Sequence, residues 1–273
     1  MTTEDSQEIR KRGHCYCGCA ETSWQLELNS ATKIVRCSRC GLVRTFPFPF
    51  DSELGGVEIS SVPVYDRDEH LYRKFAQGLL QVLKDYVPLS AQVVDVGCGP
   101  GIFADEIRRA GYSVLGMDLD RACIDYGQAK GYPIEYGTLN ENHPEKLDAI
   151  VASHTLEHIF RLGPALACFH ACLKPGGYLF LSQPNYRSWM GRLRGVCWAG
   201  WVASQHHWHF DSSTLVQILR AHNFQVLEVR QDKLHEPWPS LRWLRNPRTF
   251  LRRWSRALIA RVAPWFGQGD CLN

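Results

Sequence analysis

Val93-Val94-Asp95-Val96-Gly97-Cys98-Gly99-Pro100-Gly101 decides the fold of this 273-residue chain. A short apolar run over 92–96 ends in three glycines spaced two apart, and 102–110 then carries a helical pattern. The glycines therefore occupy a strand-to-helix turn. Gly97 permits a tight turn, Gly99 leaves the backbone open to a ligand, and Gly101 opens the helix. Pro100 removes one amide donor, whereas a pyrophosphate needs a row of donors at a free helix N-terminus. The turn suits a ligand with an amino-acid end and a nucleoside end better than a dinucleotide.

Outward from the turn, strand and helix alternate. A second strand over 113–117 leads to Asp118, 17 residues past Gly101, where a carboxylate can accept both hydroxyls of a ribose. The competing account makes Asp118 a cap for the helix over 121–130. Strands are expected at 133–136, 147–152, 178–182 and 224–229. Helices are expected at 159–173, closed by Lys174-Pro175-Gly176-Gly177, and at 212–222, capped by Asp211 or Ser212. Upstream, Leu71, Phe75, Leu79, Val82, Leu83 and Tyr86 recur at three and four, giving an amphipathic helix over 65–87 that ends before Pro88. Such alternation predicts an α/β fold, a parallel sheet covered on both faces.

Composition limits the alternatives. With 45% hydrophobic and 11% aromatic residues and a formal charge of +3, the chain is not a disordered one. No apolar run of 18 residues occurs, so a spanning helix is not expected. The polar stretch 1–12 does not read as a secretory signal, so a cytoplasmic protein is expected. In that setting eleven cysteines are not a disulfide framework. Seven arginines and no acid lie between Pro237 and Gly269, which leaves the rest of the chain at −4 against the formal +3. The basic balance belongs to the tail, and a nucleic-acid partner is not expected from it.

The glycine turn and Asp118 are followed in order by Leu147-Asp148-Ala149-Ile150-Val151, Leu156-Glu157-His158, Leu173-Lys174-Pro175-Gly176-Gly177 and Pro184-Asn185. Over about residues 65–231 this series resembles class I S-adenosylmethionine-dependent methyltransferases, most of all the bacterial group acting on small molecules, quinones and glycans. The resemblance implies a doubly wound, Rossmann-like seven-stranded sheet. It implies that Gly97, Cys98, Gly99 and Gly101 flank the methionine part of S-adenosylmethionine, with Asp95 beneath. Asp118 would hold the ribose, Thr138 and Leu139 would border the adenine, and Leu119 and Ser153 would also belong to the cofactor site. Thr138 stands where many members have an acid, so the adenine amino contact does not carry over.

A sulfonium is already a good leaving group, so the protein has to place the nucleophile and supply a base where an oxygen loses a proton. Ser153, His154, Glu157 and His158 follow the 147–152 strand at the carboxyl edge of the sheet, where ligands of open α/β folds bind. His154 is the first candidate base and His158 the second; a role confined to the turn is the competing account. His206-His207-Trp208-His209-Phe210 forms a second histidine group, in which His207 is a candidate for the acceptor pocket. The insert 186–203, with Trp189, Trp198 and Trp201, reads as a lid over that pocket or as core.

Cys37-Ser38-Arg39-Cys40-Gly41 is a zinc knuckle, with two thiolates separated by two residues and a glycine to fold the backbone toward the metal. Its partner is irregular. His14 with Cys17, Cys15 with Cys17, or Cys17 with Cys19 could complete a closed structural zinc site; Cys15 and Cys17 are favoured. Alternating segments around Asn29-Ser30 suggest a hairpin between the two cysteine groups.

The expected organisation is a zinc-ribbon module (13–46), a linker (47–64), the methyltransferase domain (65–236), and a basic segment with an amphipathic helix and final strand (237–273). In the tail, Leu251, Trp254, Leu258 and Val262 face one way and Arg252, Arg253 and Arg256 the other. That pattern suits peripheral contact with the inner face of a membrane through 237–266. The expected activity is methyl transfer to a small-molecule, sugar or lipid-linked acceptor, at oxygen. An RNA or protein acceptor, and a non-catalytic binding protein, are the alternatives.

Overall fold

The computed structural model describes residues 14–49, 62–140, 146–232 and 271–272. The linker residues 50–61 and the basic segment 233–270, including the expected amphipathic helix, lie outside the described residues. The chain divides into two bodies. One joins 1–51 to 183–221 and 225–273; the other, the larger in described residues, comprises 52–182 with 222–224.

The elements begin with β1 (Thr22–Glu27), β2 (Lys33–Cys37) and β3 (Val43–Phe46). Then come α1 (Val62–Tyr86), β4 (Gln92–Val96), α2 (Ile102–Arg109), β5 (Ser113–Asp118), α3 (Arg121–Ala129) and β6 (Ile134–Tyr136). These are followed by β7 (Leu147–Ser153), α4 (Leu162–Cys172), β8 (Leu173–Pro184), α5 (Trp189–Arg194) and β9 (Trp208–His209). The last are α6 (Ser212–Ala221), β10 (Gln231–Asp232) and β11 (Cys271–Leu272).

In the larger body, parallel strands stand in the order β8-β7-β4-β5-β6. The chain lays β4, β5 and β6 outward on one side and returns to place β7 and β8 on the other. Their reversal point lies between β4 and β7, where open α/β sheets form a crevice at the strand carboxyl ends. The apolar face of α1 explains its docking: Leu80 and Leu83 pack with Val93, Ile107, Ala149 and Val151. Full burial of side chains such as Leu83 and Ile107 stabilises the body by about 1.5–3 kcal/mol each. The helix is kinked at Asp68 (φ −110°, ψ 16°).

The smaller body holds an antiparallel sheet in the order β1-β2-β3-β9. The expected hairpin is present: Asn29 Oδ1 accepts the amides of Ala31 (2.9 Å) and Thr32 (2.8 Å), closing the turn from β1 to β2. One face of this sheet carries Ile34 and Val43, covered by Met190, Trp198 and Trp201. Both tryptophans are thus core residues of the ribbon body, while Trp189 is partly exposed. β9 brings Trp208 opposite Arg44 and His209 opposite Val43, so the ribbon extends beyond 13–46. The end of β8 also belongs to this body, where Gln183 and Pro184 pair with β11, and β11 with β10.

Counted along the hydrogen bonds, the main sheet has seven strands, of which β10 and β11 contain two residues each. The run 224–229 is not a strand. Among the described residues, Cys271 and Leu272 of β11 pair with Asp232 and Gln231 instead. Leu227 and Val229 remain exposed, while Phe224 packs its ring on His170. The expected helix at 159–173 begins at Leu162, after a single turn of 3-10 helix over Leu156–His158. Lys174-Pro175-Gly176-Gly177 forms a register irregularity inside β8, between the pairs Leu147–Leu173 and Ala149–Tyr178. Of the two candidate caps for α6, Asp211 takes the role, accepting the Thr214 amide at 2.9 Å.

Candidate active site and candidate metal centre

β4 delivers the glycine turn to the carboxyl edge of the larger sheet. Gly97 has φ 70°, and its amide donates to the Met117 carbonyl at 2.8 Å. A Cβ there would strike the side chain of Thr155, whose hydroxyl donates to the Val96 carbonyl at 2.9 Å. Thr155, which follows β7, therefore clamps the turn. Gly101, at φ 82°, faces Ile134, whose Cγ2 would lie 2.5 Å from an added Cβ. Above Gly99 lies the Tyr65 hydroxyl, 3.4 Å from the position of a Cβ.

Asp118, at the tip of β5, is turned toward this loop. Its Oδ2 accepts the Gly99 amide at 2.7 Å and its Oδ1 the Asp120 amide at 2.8 Å. The cap of α3 is Asp120, which accepts the Cys123 amide at 3.2 Å. The capping account of Asp118 is thereby removed. Burial raises the Asp118 carboxyl above its ordinary range, while the amides of Asp120 and Gly99 pull it down. The Gly137 amide donates to the Asp118 carbonyl at 3.0 Å, which brings the segment with exposed Thr138 and buried Leu139 beside that strand end.

Asp95 lies under the turn, 2% exposed, and its Oδ2 has no hydrogen-bond partner among the described residues. Burial pushes its carboxyl up to about 8, and the nearby Asp118 charge adds to the shift. Burial also pushes up the Cys98 thiol. A buried acid lacking a partner among the described residues, next to the glycine turn and beside a second acid, is electrostatically suited to a cationic ligand.

Across the crevice, β7 ends in Ser153, paired with Ser182. His154 adopts a left-handed conformation, φ 53°, and its amide donates to the Ser182 carbonyl at 2.7 Å. The side chain is one third exposed, with Nδ1 3.5 Å from Oε1 of the buried Glu157 and the ring 5.9 Å from Phe75. His158 sits one turn on, its amide bonded to the Thr155 carbonyl at 3.0 Å. The larger body thus gathers Asp95, Gly97, Cys98, Gly99, Gly101, Asp118, Leu119 and the Ser153–His158 turn at one sheet edge. Sequence reasoning left out Tyr65 and Thr155. Tyr65 sits in a helical pattern with nothing local to tie it to the turn, whereas Thr155, between His154 and Leu156, could have been included.

His207 belongs to the ribbon body. It is fully buried, its carbonyl accepts the Thr45 amide at 3.0 Å, and its ring meets Phe48 at 5.6 Å. These are the surroundings of a buried histidine of the ribbon body. Its neighbours have partners of their own: His206 Nδ1 lies 3.1 Å from the Gly200 carbonyl, and His209 Nε2 3.0 Å from the Thr45 hydroxyl.

In the ribbon the Sγ atoms of Cys15, Cys17, Cys37 and Cys40 all lie within 4.8 Å of one another. Cys15–Cys40 and Cys17–Cys37 are 3.5 and 3.6 Å apart. A tetrahedron of zinc–sulfur bonds of ~2.3 Å has edges of about 3.8 Å, so the four thiols fit that ion. Gly18 and Gly41, both with positive φ, follow the two knuckles and bend each back on itself. Cys19 is directed elsewhere, toward Ser38 at 3.5 Å. Contact with Cys40 raises the Cys15 thiol, and burial pushes Cys37 up to about 11.

A family model described as a methyltransferase domain matches residues 67–229. The human mitochondrial ubiquinone biosynthesis O-methyltransferase is 30% identical over 208 residues, covering 68% of this chain and 56% of that protein. The chain thus spans little more than half of that relative's length. The ubiquinone biosynthesis O-methyltransferase of Xanthomonas campestris is 30% identical over 190 residues, covering 61% of this chain and 77% of that one. Among solved structures, an S-adenosylmethionine-dependent methyltransferase from Archaeoglobus fulgidus superposes with TM-score 0.55 at 18% identity, covering 77% of this chain and 96% of that one. The last is a likeness of fold.

Proposed function

The chain belongs to the methyltransferase-domain family, and from that premise we propose that it moves a methyl group from S-adenosylmethionine to an oxygen of a small-molecule acceptor. The observation that carries the reading is the pairing of Gly99 with Asp118, which poises a carboxylate beside the glycine turn. The chemistry of the residues supports such a cofactor: Asp95 Oδ2 is a buried acceptor lacking a partner among the described residues, and Asp118 offers a carboxylate that could accept ribose hydroxyls. When bound, the cofactor supplies an electrophilic methyl on a positively charged sulfur.

The protein's own part is binding, orientation and proton handling. Gly97, Cys98, Gly99 and Gly101 would shape the amino-acid end, Asp118 and Leu119 would hold the ribose, and Thr138 and Leu139 would border the adenine. Asp95 would answer a positive charge on the bound cofactor. His154 accepts the proton of the acceptor hydroxyl, and Glu157 orients the imidazole and steadies the imidazolium. His158 stands behind it as the alternative base. The names of the relatives favour a phenolic quinone precursor as the acceptor class.

Cys15, Cys17, Cys37 and Cys40 would hold a zinc ion that folds the ribbon; four protein ligands leave no open position for chemistry. The arginines and tryptophans of 237–266 would bring the protein to the inner face of a membrane, where a lipid-linked acceptor resides. No helix among the described residues is long and apolar enough to cross one.

Calorimetric titration with S-adenosylmethionine tests the first step, with stoichiometric binding expected. No heat of binding overturns the reading. Mass spectrometry of a cell extract incubated with isotopically labelled cofactor identifies the acceptor. A labelled product bearing the methyl at nitrogen or carbon overturns the oxygen assignment.

A further inference from the structure

The ribbon contains a buried arginine that the active-site reading does not use. Arg44, on β3, is 1% exposed. Its burial is a consequence of register. On β3, Val43 turns to the tryptophan-covered face, so Arg44 turns to the other. Arg44 stands directly opposite Val35, and Cys37 lies two residues beyond Val35 on the same face of β2. Arg44 and Cys37 are therefore diagonal neighbours across an antiparallel pair, within reach of a long side chain.

The third strand completes the enclosure. Trp208 faces Arg44 from β9 and meets Tyr16, the residue between Cys15 and Cys17, with ring centroids 6.4 Å apart. Phe46 and Phe48 present their rings to the guanidinium at 5.5 and 5.7 Å. One face of the ribbon thus holds the four thiols and a buried cation together under an aromatic cover.

Removing a guanidinium from water is costly and demands nearby negative charge. Four thiolates around a divalent ion carry a net charge of roughly −2, which needs compensation in the same dry environment. Each group thereby answers the other's cost. Burial lowers the Arg44 pKa, and Cys15, Cys37, Cys17 and Cys19 all act against that lowering. Arg39 adds positive charge at the rim, donating to the Cys17 carbonyl at 3.3 Å.

We propose that Arg44 is the buried counter-charge of the Cys15–Cys17–Cys37–Cys40 site, a positioning residue that sets how firmly the four thiolates retain their metal. This rests on the zinc reading given above. A uniform apolar face would suffice to hold the ribbon together. A buried cation diagonal to a metal-binding cysteine serves the site.

The test uses the full-length protein and the variants Arg44→Lys, which keeps the charge, and Arg44→Gln, which removes it. The readouts are zinc per chain, the rate of zinc transfer to a chromogenic chelator, and the thiolate-to-cobalt absorption after cobalt substitution. Loss of an outer-shell partner typically weakens metal binding ~10–100-fold, so Arg44→Gln should release zinc at least about tenfold faster than wild type. Arg44→Lys should stay within about threefold. Equal rates in all three proteins, or equal acceleration in both variants, overturn the inference, the second outcome assigning Arg44 to shape alone. If Arg44→Gln is recovered unfolded, the zinc concentration at half-refolding becomes the readout. It should lie about tenfold above that of Arg44→Lys; equal midpoints overturn the inference. Wild-type protein without zinc and without thiolate-to-cobalt absorption overturns the underlying metal reading, a result separate from those of the variants.

Discussion

The amide of Gly99 donates to Oδ2 of Asp118 at 2.7 Å, joining the turn after β4 to the tip of β5. The same carboxylate holds the Asp120 amide through its other oxygen, so its orientation is fixed by two backbone donors. A group preorganised in this way forfeits little rotamer freedom on binding a ribose. Asp120, two residues on, acts differently and caps α3.

The two aspartates should therefore separate cleanly by mutation. Asp118→Ala removes charge-assisted hydrogen bonds to the ribose hydroxyls, and cofactor affinity should fall ~100-fold or more. Asp120→Ala should lower stability by about 1 kcal/mol with affinity nearly unchanged. Titration calorimetry and urea denaturation measure the two effects, and an equal loss of affinity in both variants would contradict the assignment.

Gly97 and Thr155 make a second linked pair. Gly97→Ala places a Cβ against the Thr155 side chain and strains a left-handed residue, at a cost of about 2–5 kcal/mol. Thr155→Ala loses the bond to the Val96 carbonyl and should cost about 1 kcal/mol. The double variant should be less destabilised than the sum by at least ~1 kcal/mol, because the second change removes the Oγ1 and Cγ2 contacts of the clash and leaves the one with Cβ, at 2.9 Å. Strict additivity in denaturant melts would show that Thr155 does not clamp the turn.

The sequence makes some of this legible and hides the rest, for physical reasons. Gly97, Gly99, Gly101 and Asp118 act through neighbours in the chain and through parallel register, and spacing alone places them together. The cysteines are similar, because each knuckle is a local turn closed by a glycine. Hidden features depend on contacts between distant segments. Nothing in Trp208-His209 announces a fourth ribbon strand, since its partner β3 lies about 160 residues earlier. That pairing accompanies the burial of His207, which the sequence pattern alone does not announce. Trp198 and Trp201 have the composition of a lid and the packing of a core. The alternating run 224–229 has the pattern of a strand, but pairing with β11 falls to Gln231 and Asp232.

Asp95 carries a dependence on pH. Its folded pKa, about 8, lies above the ordinary carboxylate value, so the folded state favours the protonated acid. The resulting stabilisation is complete below about pH 4 and is lost as pH rises through about 8. Wild-type protein without cofactor should thus lose stability between about pH 5.5 and 8.5 through this group. Asp95→Asn removes the ionisation at nearly constant volume. Its melting temperature should fall less over that interval and exceed that of wild type at the upper end. Parallel pH profiles for the two proteins would show that Asp95 does not titrate there.

His154 offers the sharpest test of the chemistry, because its backbone and its side chain can be separated. The residue occupies a left-handed conformation at the end of β7, which asparagine also tolerates. His154→Asn should keep the turn, and with it the melting temperature and cofactor affinity, while removing the base. The rate of methyl transfer should fall by about 10²–10⁴-fold. Glu157→Gln leaves the imidazole in place but weakens its orientation and the support of its charged form, so a smaller fall is expected. With both changes combined, the loss should be close to that of His154→Asn alone, since Glu157 acts through the histidine. Single-turnover rates with saturating cofactor provide the comparison. A fully active His154→Asn would move the proton acceptor to His158 or to the substrate's own ionisation, while a loss that multiplies in the double variant would give Glu157 a separate role in the crevice.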